Sequence, residues 1–340
     1  MVAAQTHRMH SRPAHLPDDA AVADALRARW GTGRDTEPAE LRYRALGFGS
    51  YHWEVADPGG RSWFATLDDL TMRPHAPGDS CDATYARLRA ALATARAAYE
   101  AGASYVVAPV RCADGDVVTR LSERYALALY PYVYGRPRAY DDELSPADRE
   151  AVLGLVAALH GSPSPVRAEA NVEDYLIPGR DVLVAALADL GGRWDGGPYA
   201  ERTRVLLGRA ADEVEQLLDR RDALAARARE RPDRMVLTHG EPHAGNLIET
   251  DAGWRLVDWD TVLVAPPERD LWMLDPGDGS AVAAYERATG RPVLPAVLEL
   301  YRLTWRLADI ASFVGWFRAP HDDTEDTRKA WQGLTWYLTG

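Results

Sequence analysis

The chain has 340 residues, of which 46% are hydrophobic, and its formal net charge is −12. This length and composition indicate a globular protein with material for two lobes or domains, and they exclude a disordered chain. The negative charge argues against binding to nucleic acid, which requires neutralisation of phosphates. An acidic surface favours cationic partners, because a cleft lined by one sign of charge concentrates ligands of the other sign, but acidity that only aids solubility is the more common explanation.

Targeting signals and cysteine pairs are the next features to consider. The first 20 residues lack the apolar centre of a secretory signal, and no run of 18 apolar residues follows. The cysteines, Cys81 and Cys112, are not spaced as a metal or redox pair. We therefore expect a cytoplasmic protein without a membrane span, with residues 1–18 as a disordered tail.

The first predicted elements are a helix and three strands. A capping aspartate before residues 19–30 and a glycine after them predict a helix there. Residues 41–70 alternate between apolar and polar side chains, with breaks at Gly47 and Gly49 and at the turn 57–60. This pattern predicts three antiparallel strands.

A long helix and two further strands complete the N-terminal part. Apolar residues recur at three- and four-residue intervals over 82–101, and strand patterns appear near 117–120 and 126–130. The sum is a five-stranded antiparallel sheet with one long helix.

A segment rich in proline, residues 131–137, cannot continue a central strand and marks the boundary between two lobes. We place the N-terminal lobe at 19–133, a hinge at about 130–136, and a larger, mostly helical lobe at 137–340. Helical patterns in this second lobe cover residues 151–161, 181–190, 199–230 and 294–317. The predicted class is α+β with two lobes.

One non-helical segment, residues 235–260, interrupts these helices. A short strand leads into a polar loop, and a hairpin over residues 247–257 follows, so Asn246 should lie beside Asp258 and Asp260. Amide and carboxylate oxygens are ligands that suit Mg²⁺. Glu241, on the same loop, is then placed to orient a hydroxyl for phosphoryl transfer.

Two histidines in this loop, His239 and His243, stand four residues apart as in the zinc motif HExxH. That motif requires a helix, which Gly240 and Pro242 disfavour. We therefore expect His239 to be a hydrogen-bonding support and not a metal ligand.

The string HGEPHAGN, followed by a hairpin and LVDWD, resembles the catalytic and metal-binding loops of the aminoglycoside phosphotransferase family. The resemblance covers about residues 40–320 in element order. It implies a protein-kinase-like fold, Mg²⁺, ATP or GTP as co-substrate, and a small hydroxylated acceptor such as an antibiotic. More weakly, the hinge and element order resemble the spectinomycin phosphotransferase branch.

Carried over position by position, the resemblance implies roles for individual residues. In the second lobe these are Glu241 as catalytic carboxylate, Asn246 and Asp258 as metal ligands, Asp260 as a further acid, and His239 and Asp270 as supports. In the first lobe it implies that Gly47, Gly49 and Ser50 cover the triphosphate and that Pro131, Tyr132 and Val133 contact the purine edge.

The sequence departs from the family at three places. Glu241 replaces the catalytic aspartate, and a shift of about 1 Å in such a group costs on the order of a hundredfold in rate unless the loop compensates. Thr66 holds the position of the third-strand lysine that binds phosphates, and helix 82–101 lacks the partner glutamate. Phosphate neutralisation is therefore expected from elsewhere: Arg44, Arg87, Arg89 or backbone amides.

The acceptor is expected to contact the helical lobe, with Trp305, Asp309 and Trp316 as candidates, while the acidic run 322–326 is interpreted as a solvated turn. Three hypotheses remain open. The first is a Mg²⁺-dependent O-phosphotransferase for an aminoglycoside-type or other antibiotic. The second is a catalytically impaired kinase-like protein that sequesters a ligand, and the third is a kinase for choline, homoserine or a sugar. Either a monomer or a dimer is compatible with the sequence.

Overall fold

The structure, a computed structural model, describes residues 12–13, 15–32, 39–46 and 50–339. Its N-terminal lobe contains a five-stranded antiparallel sheet with the strand order β1-β2-β3-β5-β4, as predicted. The strands are β1 (Glu40–Arg44), β2 (Ser50–Ala56), β3 (Ser62–Asp69), β4 (Thr119–Arg120) and β5 (Tyr125–Pro131), and the helices are α1 (Asp19–Trp30) and α2 (Cys81–Glu100).

The two faces of this sheet have different roles. Along β3, Ala65 and Leu67 are fully buried in a cluster that includes α1 residues. Because side chains alternate along a strand, Phe64, Thr66 and Asp68 lie on the opposite face. That second face looks toward the C-terminal lobe and forms one wall of the cleft between the lobes.

Helices dominate the C-terminal lobe. They are α3 (Pro146–His160), α4 (Arg180–Ala188), α5 (Ala200–Arg209), α6 (Ala211–Arg229), α7 (Glu268–Leu274), α8 (Ser280–Thr289), α9 (Pro295–Arg318) and α10 (Glu325–Thr339). The predicted helix 199–230 is divided at Ala210 into α5 and α6. No helix in the described part of the chain has the length and apolarity needed to cross a membrane.

Two small sheets hold the predicted non-helical segment. Their strands are β6 (Arg136–Pro137), β7 (Asn171–Val172), β8 (Val236–Thr238), β9 (Leu247–Thr250), β10 (Gly253–Leu256) and β11 (Leu263–Ala265), in the orders β10-β9-β6 and β7-β11-β8. The predicted hairpin is therefore β9–β10. Strand β6 follows the hinge directly and pairs with β9, so the hinge and the hairpin are neighbours.

The hairpin rests on a buried core. Leu247, Leu256 and Trp259 are at most 1% exposed and pack with residues of α3 and α8. The backbone of Leu256 also bonds to Tyr105 and Val107, at 2.8 and 3.0 Å, in the segment after α2. These contacts fix the base of the hairpin, where the candidate site lies.

Some predictions fall on residues outside the described ranges. Gly47 and Gly49, expected over the triphosphate, are among them, as is most of the tail expected at residues 1–18. Of that tail, Leu16 packs against the cluster under the first sheet, and Arg12 pairs with Asp19 at 2.7 Å. The described end of the tail thus contacts the N-terminal lobe.

Candidate active site

The segment after β8, residues 239–246, is named here the His239 loop, and Asp270 of α7 holds it from below. The backbone N–H groups of His239 and Gly240 donate to the Asp270 carboxylate at 2.9 and 2.6 Å. His160 bonds to the same carboxylate at 3.0 Å. Burial acts to raise the pKa of Asp270, but the bond from His160 and neighbouring positive charge outweigh it and lower that pKa.

Gly240 is required in this loop. Its φ of +103° lies in the region that favours glycine, and a Cβ atom there would collide with the Arg269 guanidinium. The loop therefore turns sharply directly before Glu241.

His239 lies where a supporting residue was predicted. Its ring is fully buried, Nε2 donates to the carbonyl of Val257 at 2.9 Å, and Nδ1 accepts from the Glu241 N–H at 3.2 Å. Burial lowers the pKa of His239, which favours the neutral ring that these two bonds require. The residue thus ties the loop to the end of the hairpin.

Asn246 and Asp258 are brought together at the base of the hairpin. The N–H of Val257 donates to the Asn246 carbonyl at 3.0 Å, so Asp258 is one residue from that contact. The Asn246 side-chain N–H donates to the Glu241 carbonyl at 2.9 Å, which leaves its amide oxygen for a ligand. Asp258 has a φ of +65°, a backbone conformation that non-glycine residues adopt rarely and that is enriched at functional sites.

The acidic groups here suit a hard cation. Burial, with the charges of Asp260 and Glu241, raises the pKa of Asp258 well above its ordinary value. One carboxylate oxygen of Asp260, Oδ1, is buried without a hydrogen-bond partner. Together with the Asn246 amide oxygen, these carboxylates match the oxygen ligands that Mg²⁺ prefers. The described residues contain no cluster of three His, Cys, Asp or Glu side chains that could hold a metal.

Glu241 reaches the same space from the His239 loop. Its carboxylate lies 3.7 Å from His243 Nε2. Burial acts to raise the pKa of Glu241, but His243 and Arg73 outweigh it, and the net shift is downward. Glu241 is therefore ionised at neutral pH, as a group that accepts a bond from an acceptor hydroxyl must be.

The wall formed by the first sheet carries the predicted nucleotide-side residues. Ser50 of β2 donates at 2.7 Å to Asp68, which lies directly opposite it on β3, and Thr66, two residues earlier on β3, lies opposite His52 of β2. His52 stacks on Phe64 with ring centroids 5.2 Å apart. Burial and the nearby Arg73 lower the pKa of His52 to about 4, so its ring is neutral at pH 7.

The hinge follows on β5. Pro131 is the last residue of this strand, opposite Trp63, and the Tyr132 N–H donates to the Ser62 carbonyl at 3.3 Å. The Tyr132 hydroxyl lies 3.5 Å from Glu54, and Val133 is half-buried beyond the strand.

Arg73 is a cation of this cleft that no sequence pattern predicted. Arg73, in the loop between β3 and α2, contacts Asp260 and lies 3.6 Å from Asp68. Of the arginines expected there, Arg44 instead lies beside Glu54 at 3.5 Å and Arg89 pairs with Asp116 at 2.7 Å. Arg73 lies in a loop without periodicity, so no sequence pattern indicated its direction.

A third group, named here the Asp309 cluster, comprises Trp305 and Asp309 of α9 and Tyr337 of α10. The Tyr337 hydroxyl donates to Asp309 at 2.6 Å. Burial raises the pKa of Asp309 to about 7, and the negative charge of Glu241 contributes to this rise. This influence indicates that the cluster faces the same cleft as Glu241.

The remaining acceptor predictions are placed differently. Trp316 lies parallel to Phe317, with centroids 6.2 Å apart, and packs against a core shared by α4, α5, α9 and α10. The acidic run 322–326, expected to be a solvated turn, extends into the start of α10 at Glu325. Within it, Asp323 accepts a hydrogen bond from Tyr199 at 3.0 Å.

Comparison with known proteins identifies the family. The model of the phosphotransferase enzyme family matches residues 40–306. Protein StrN from Streptomyces griseus is 32% identical over 248 residues, which cover 70% of this chain and 73% of that protein. The chain therefore belongs to the phosphotransferase enzyme family, and the predicted enzyme class, a small-molecule phosphotransferase, is confirmed.

Solved structures share the fold at low sequence identity. A spectinomycin phosphotransferase in complex with ADP and spectinomycin is 16% identical, with a TM-score of 0.71 over 94% of each chain. An amicoumacin kinase is 14% identical, with a TM-score of 0.59 over 95% of this chain and 92% of its own. An ethanolamine kinase from Plasmodium vivax is 11% identical, with a TM-score of 0.54 over 89% of this chain and 82% of its own. The predicted two-lobed, protein-kinase-like fold is confirmed.

Proposed function

We propose that this enzyme transfers the γ-phosphoryl group of Mg²⁺-bound ATP or GTP to a hydroxyl of a small cationic molecule, such as an aminoglycoside-type antibiotic. The observation that carries the proposal is the convergence of Glu241, Asn246 and Asp258. Three hydrogen bonds position them, from Asn246 to Glu241, from Val257 to Asn246 and from His239 to Val257. We keep the cytoplasm as the proposed location, with Cys81 and Cys112 both free.

The proposed roles follow from the chemistry of each group. Asn246 and Asp258 would hold Mg²⁺, with Asp260 as a further acid, and the ion supplies charge neutralisation for the nucleotide phosphates. Glu241 accepts the hydrogen bond of the acceptor hydroxyl and aims its oxygen at the phosphorus. Because the transition state of phosphoryl transfer is loose, orientation of the hydroxyl matters more than removal of its proton. His239 and Asp270 hold these groups in place.

The nucleotide is proposed to occupy the cleft between the first sheet and the hairpin. Pro131, Tyr132 and Val133 would contact the purine edge through their backbone, since the hinge connects the two walls of that cleft. Ser50 and Thr66 lie on the phosphate side, with Gly47 and Gly49 between β1 and β2 in the sequence.

The acceptor is proposed to lie between Glu241 and the Asp309 cluster. The pKa of Asp309 is about 7, so a nearby ammonium group would stabilise its ionised form. This stabilisation favours the binding of a cationic acceptor. Trp305, on the same helix face one turn away, adds an aromatic surface that attracts cations. Trp316 is partly buried and packs against the helical core, so it is not part of this proposed site.

The alternatives predict different products. A primary-metabolite kinase would phosphorylate a small amino alcohol such as choline or homoserine, or a sugar, whereas a sequestering protein would bind a ligand and release no nucleoside diphosphate. The retained Asn246 and Asp258 support an active enzyme, because a protein that only binds has no chemical need for both.

The test is a panel assay of ATP and GTP against antibiotics, amino alcohols and sugars, with products identified by mass spectrometry. We expect one class of acceptor to gain a phosphoryl group. Asn246→Ala and Asp258→Ala should each lower turnover by at least about 10³-fold, since charge neutralisation contributes several kcal/mol. Asp251→Ala, in the hairpin turn, is the control that should keep wild-type turnover.

Two outcomes would contradict the proposal. An active Asp258→Ala enzyme would remove the metal assignment. Tight acceptor binding measured by calorimetry, with no binding of Mg²⁺-nucleotide and no phosphorylated product, would favour the sequestering protein.

A further inference from the structure

The third strand of the first sheet offers no positive charge to a triphosphate on its cleft face, and Arg42 and Arg44, which lie on the same face of β1, pair with Glu54 at 4.0 and 3.5 Å. On β3, the three side chains that alternate on this face are Phe64, Thr66 and Asp68, and none is basic. Opposite them, at the base of the hairpin, stand Asp258 and Asp260. A nucleotide carrying about four negative charges cannot lie among these carboxylates without cations beyond one Mg²⁺.

Arg73 extends from the loop between β3 and α2 into the space between β3 and the base of the hairpin. It contacts Asp260, lies 3.6 Å from Asp68 and experiences the charge of Asp258. Among the described residues, no other Lys or Arg forms an ion pair with Asp68 or Asp260. The guanidinium therefore links the two lobes across the opening of the cleft.

The loop that carries Arg73 is held at its start by Asp69, the last residue of β3. One oxygen of Asp69 accepts from the backbone and the hydroxyl of Thr71, at 3.1 and 2.7 Å, and the other accepts from Arg124 at 2.5 Å. Asp69 is 1% exposed. The turn that directs Arg73 back toward the cleft is thus part of the rigid sheet.

The same loop is held again beyond Arg73. The N–H groups of His75 and Ala76 donate to Asp79 at 3.0 and 2.9 Å. The His75 ring bonds to Asp174 of the second lobe at 2.5 Å. With both sides anchored, the freedom of Arg73 is largely limited to its own side chain, so little entropy is lost when it binds an anion.

We propose that Arg73 binds the nucleotide phosphates in place of the missing third-strand lysine. In the free enzyme it neutralises Asp68 and Asp260, and when the nucleotide enters it exchanges part of these contacts for phosphate oxygens. The planar guanidinium suits this exchange because its N–H groups can bond a carboxylate and a phosphate at once. This inference rests on the proposed function, because it requires that a nucleotide occupies the cleft.

The first test measures nucleotide binding by calorimetry without added metal, so it does not depend on turnover. For Arg73→Met we expect affinity for ATP to fall about 10- to 100-fold, the value of a charge-assisted hydrogen bond, while affinity for adenosine stays within about twofold. Arg73→Lys should retain part of the affinity for ATP. The matched control is Arg89→Met, which removes an arginine that pairs with Asp116 outside the cleft and should bind ATP as the wild type does.

The second test restores the charge at the original position. In the double variant Thr66→Lys with Arg73→Met, a lysine projects from the cleft face of β3, and we expect it to recover at least about tenfold of the lost ATP affinity. This variant and Arg73→Lys keep a cation beside Asp68, so they remain informative if Arg73→Met alone fails to fold.

The outcomes separate this inference from the proposed function. If the wild type binds neither ATP nor GTP, with or without Mg²⁺, the proposed function fails. Two outcomes with a wild type that binds ATP would show that Arg73 is only a structural contact between the lobes. In the first, folded Arg73→Met binds ATP as well as the wild type does. In the second, Arg73→Lys and the double variant lose the binding of ATP and of adenosine to the same extent.

Discussion

The His239 loop and the Asp309 cluster face the same cleft but are constructed differently. The loop is fixed by backbone hydrogen bonds to Asp270, by the His239 ring and by the side chain of Asn246. The cluster depends on side chains from two helices, among them Tyr337, whose hydroxyl donates to Asp309. Groups that act on the phosphoryl group need a fixed position, whereas groups that recognise an acceptor need only complementary charge and shape.

The two regions also differ in what holds their carboxylates. Asp270 is buried, accepts three hydrogen bonds and has a lowered pKa, so its charge is fully compensated. Asp309 accepts a hydrogen bond from Tyr337, but burial still raises its pKa to about 7, so its charge is compensated only in part. A buried carboxylate of this kind is a position where a cationic ligand gains much.

The largest effect is expected from neutralising Glu241. Glu241→Gln keeps the size of the side chain but removes its charge, so the substrate hydroxyl no longer has a carboxylate to which it can donate a strong hydrogen bond. We expect kcat to fall about 10²- to 10³-fold while KM for the acceptor changes by less than about threefold. Steady-state kinetics with the acceptor found in the panel would measure both values.

Shortening the same side chain tests whether the loop is matched to glutamate. Because the turn at Gly240 fixes the backbone, Glu241→Asp should draw the carboxylate back by about 1 Å and lower kcat by on the order of a hundredfold. Glu249→Gln, on the exposed hairpin, is the control. A Glu241→Asp enzyme with full activity would show that the loop adjusts and is not the rigid element described here.

The next effect concerns the support under the loop. Asp270→Ala leaves the buried N–H groups of His239 and Gly240 without acceptors, at a cost of about 1–3 kcal/mol each in the free energy of unfolding. We expect a lower Tm and, where the protein folds, a kcat reduced by on the order of a hundredfold through the displaced loop.

Asp270→Asn distinguishes positioning from stability. It keeps an oxygen for one of the two N–H groups, so Tm should fall less than in Asp270→Ala, while kcat still falls because the second N–H is unmatched. Asp219→Ala, on the exposed face of α6, is the control for both measurements. If Asp270→Asn lowers Tm but leaves kcat unchanged, the loop does not depend on Asp270 for its catalytic position.

The His239 loop could be predicted from sequence because its parts are local. Gly240, the hairpin and the residues at the hairpin ends are within about twenty positions of one another, so chain geometry alone brings Asn246 to Asp258. The five-stranded sheet follows equally from alternation and turn residues.

Long-range contacts were beyond the same reasoning. Arg73 and Asp260 are separated by 187 residues, and Arg73 lies in a loop where no periodicity fixes the direction of a side chain. The division of α5 and α6 at Ala210 was missed for another reason: the helical pattern continues through alanine, and tertiary packing decides the break. By contrast, His52 and Phe64 could have been found, because alternation places both on the same face as Thr66.

The smallest effect is expected at the Asp309 cluster, and it depends on pH. Asp309→Asn removes the charge that a cationic acceptor would meet, so KM for that acceptor should rise about tenfold at pH 8.5, where wild-type Asp309 is ionised. At pH 5.5 the wild-type group is itself protonated, and the two enzymes should differ by less than about threefold. kcat should change little at either pH.

Stability gives an independent measurement with a defined sign. Because the folded pKa of about 7 exceeds the ordinary value of 3.8, the native state binds the proton more tightly than the unfolded chain. Stability therefore decreases as pH rises from about 4 to 7 and levels off above that range. Asp309→Asn cannot lose this proton, so its Tm relative to the wild type should increase between pH 5 and pH 8.

A matched control separates the effect on KM from the loss of any tyrosine–aspartate hydrogen bond. Asp323 accepts from Tyr199 at 3.0 Å, as Asp309 does from Tyr337 at 2.6 Å, but it lies beside the helical core and not in the cleft. Asp323→Asn should leave KM for the acceptor unchanged at pH 5.5 and at pH 8.5. If Asp309→Asn behaves in the same way, the acceptor is not recognised through a positive charge at this cluster, and the contrast with the His239 loop concerns packing alone.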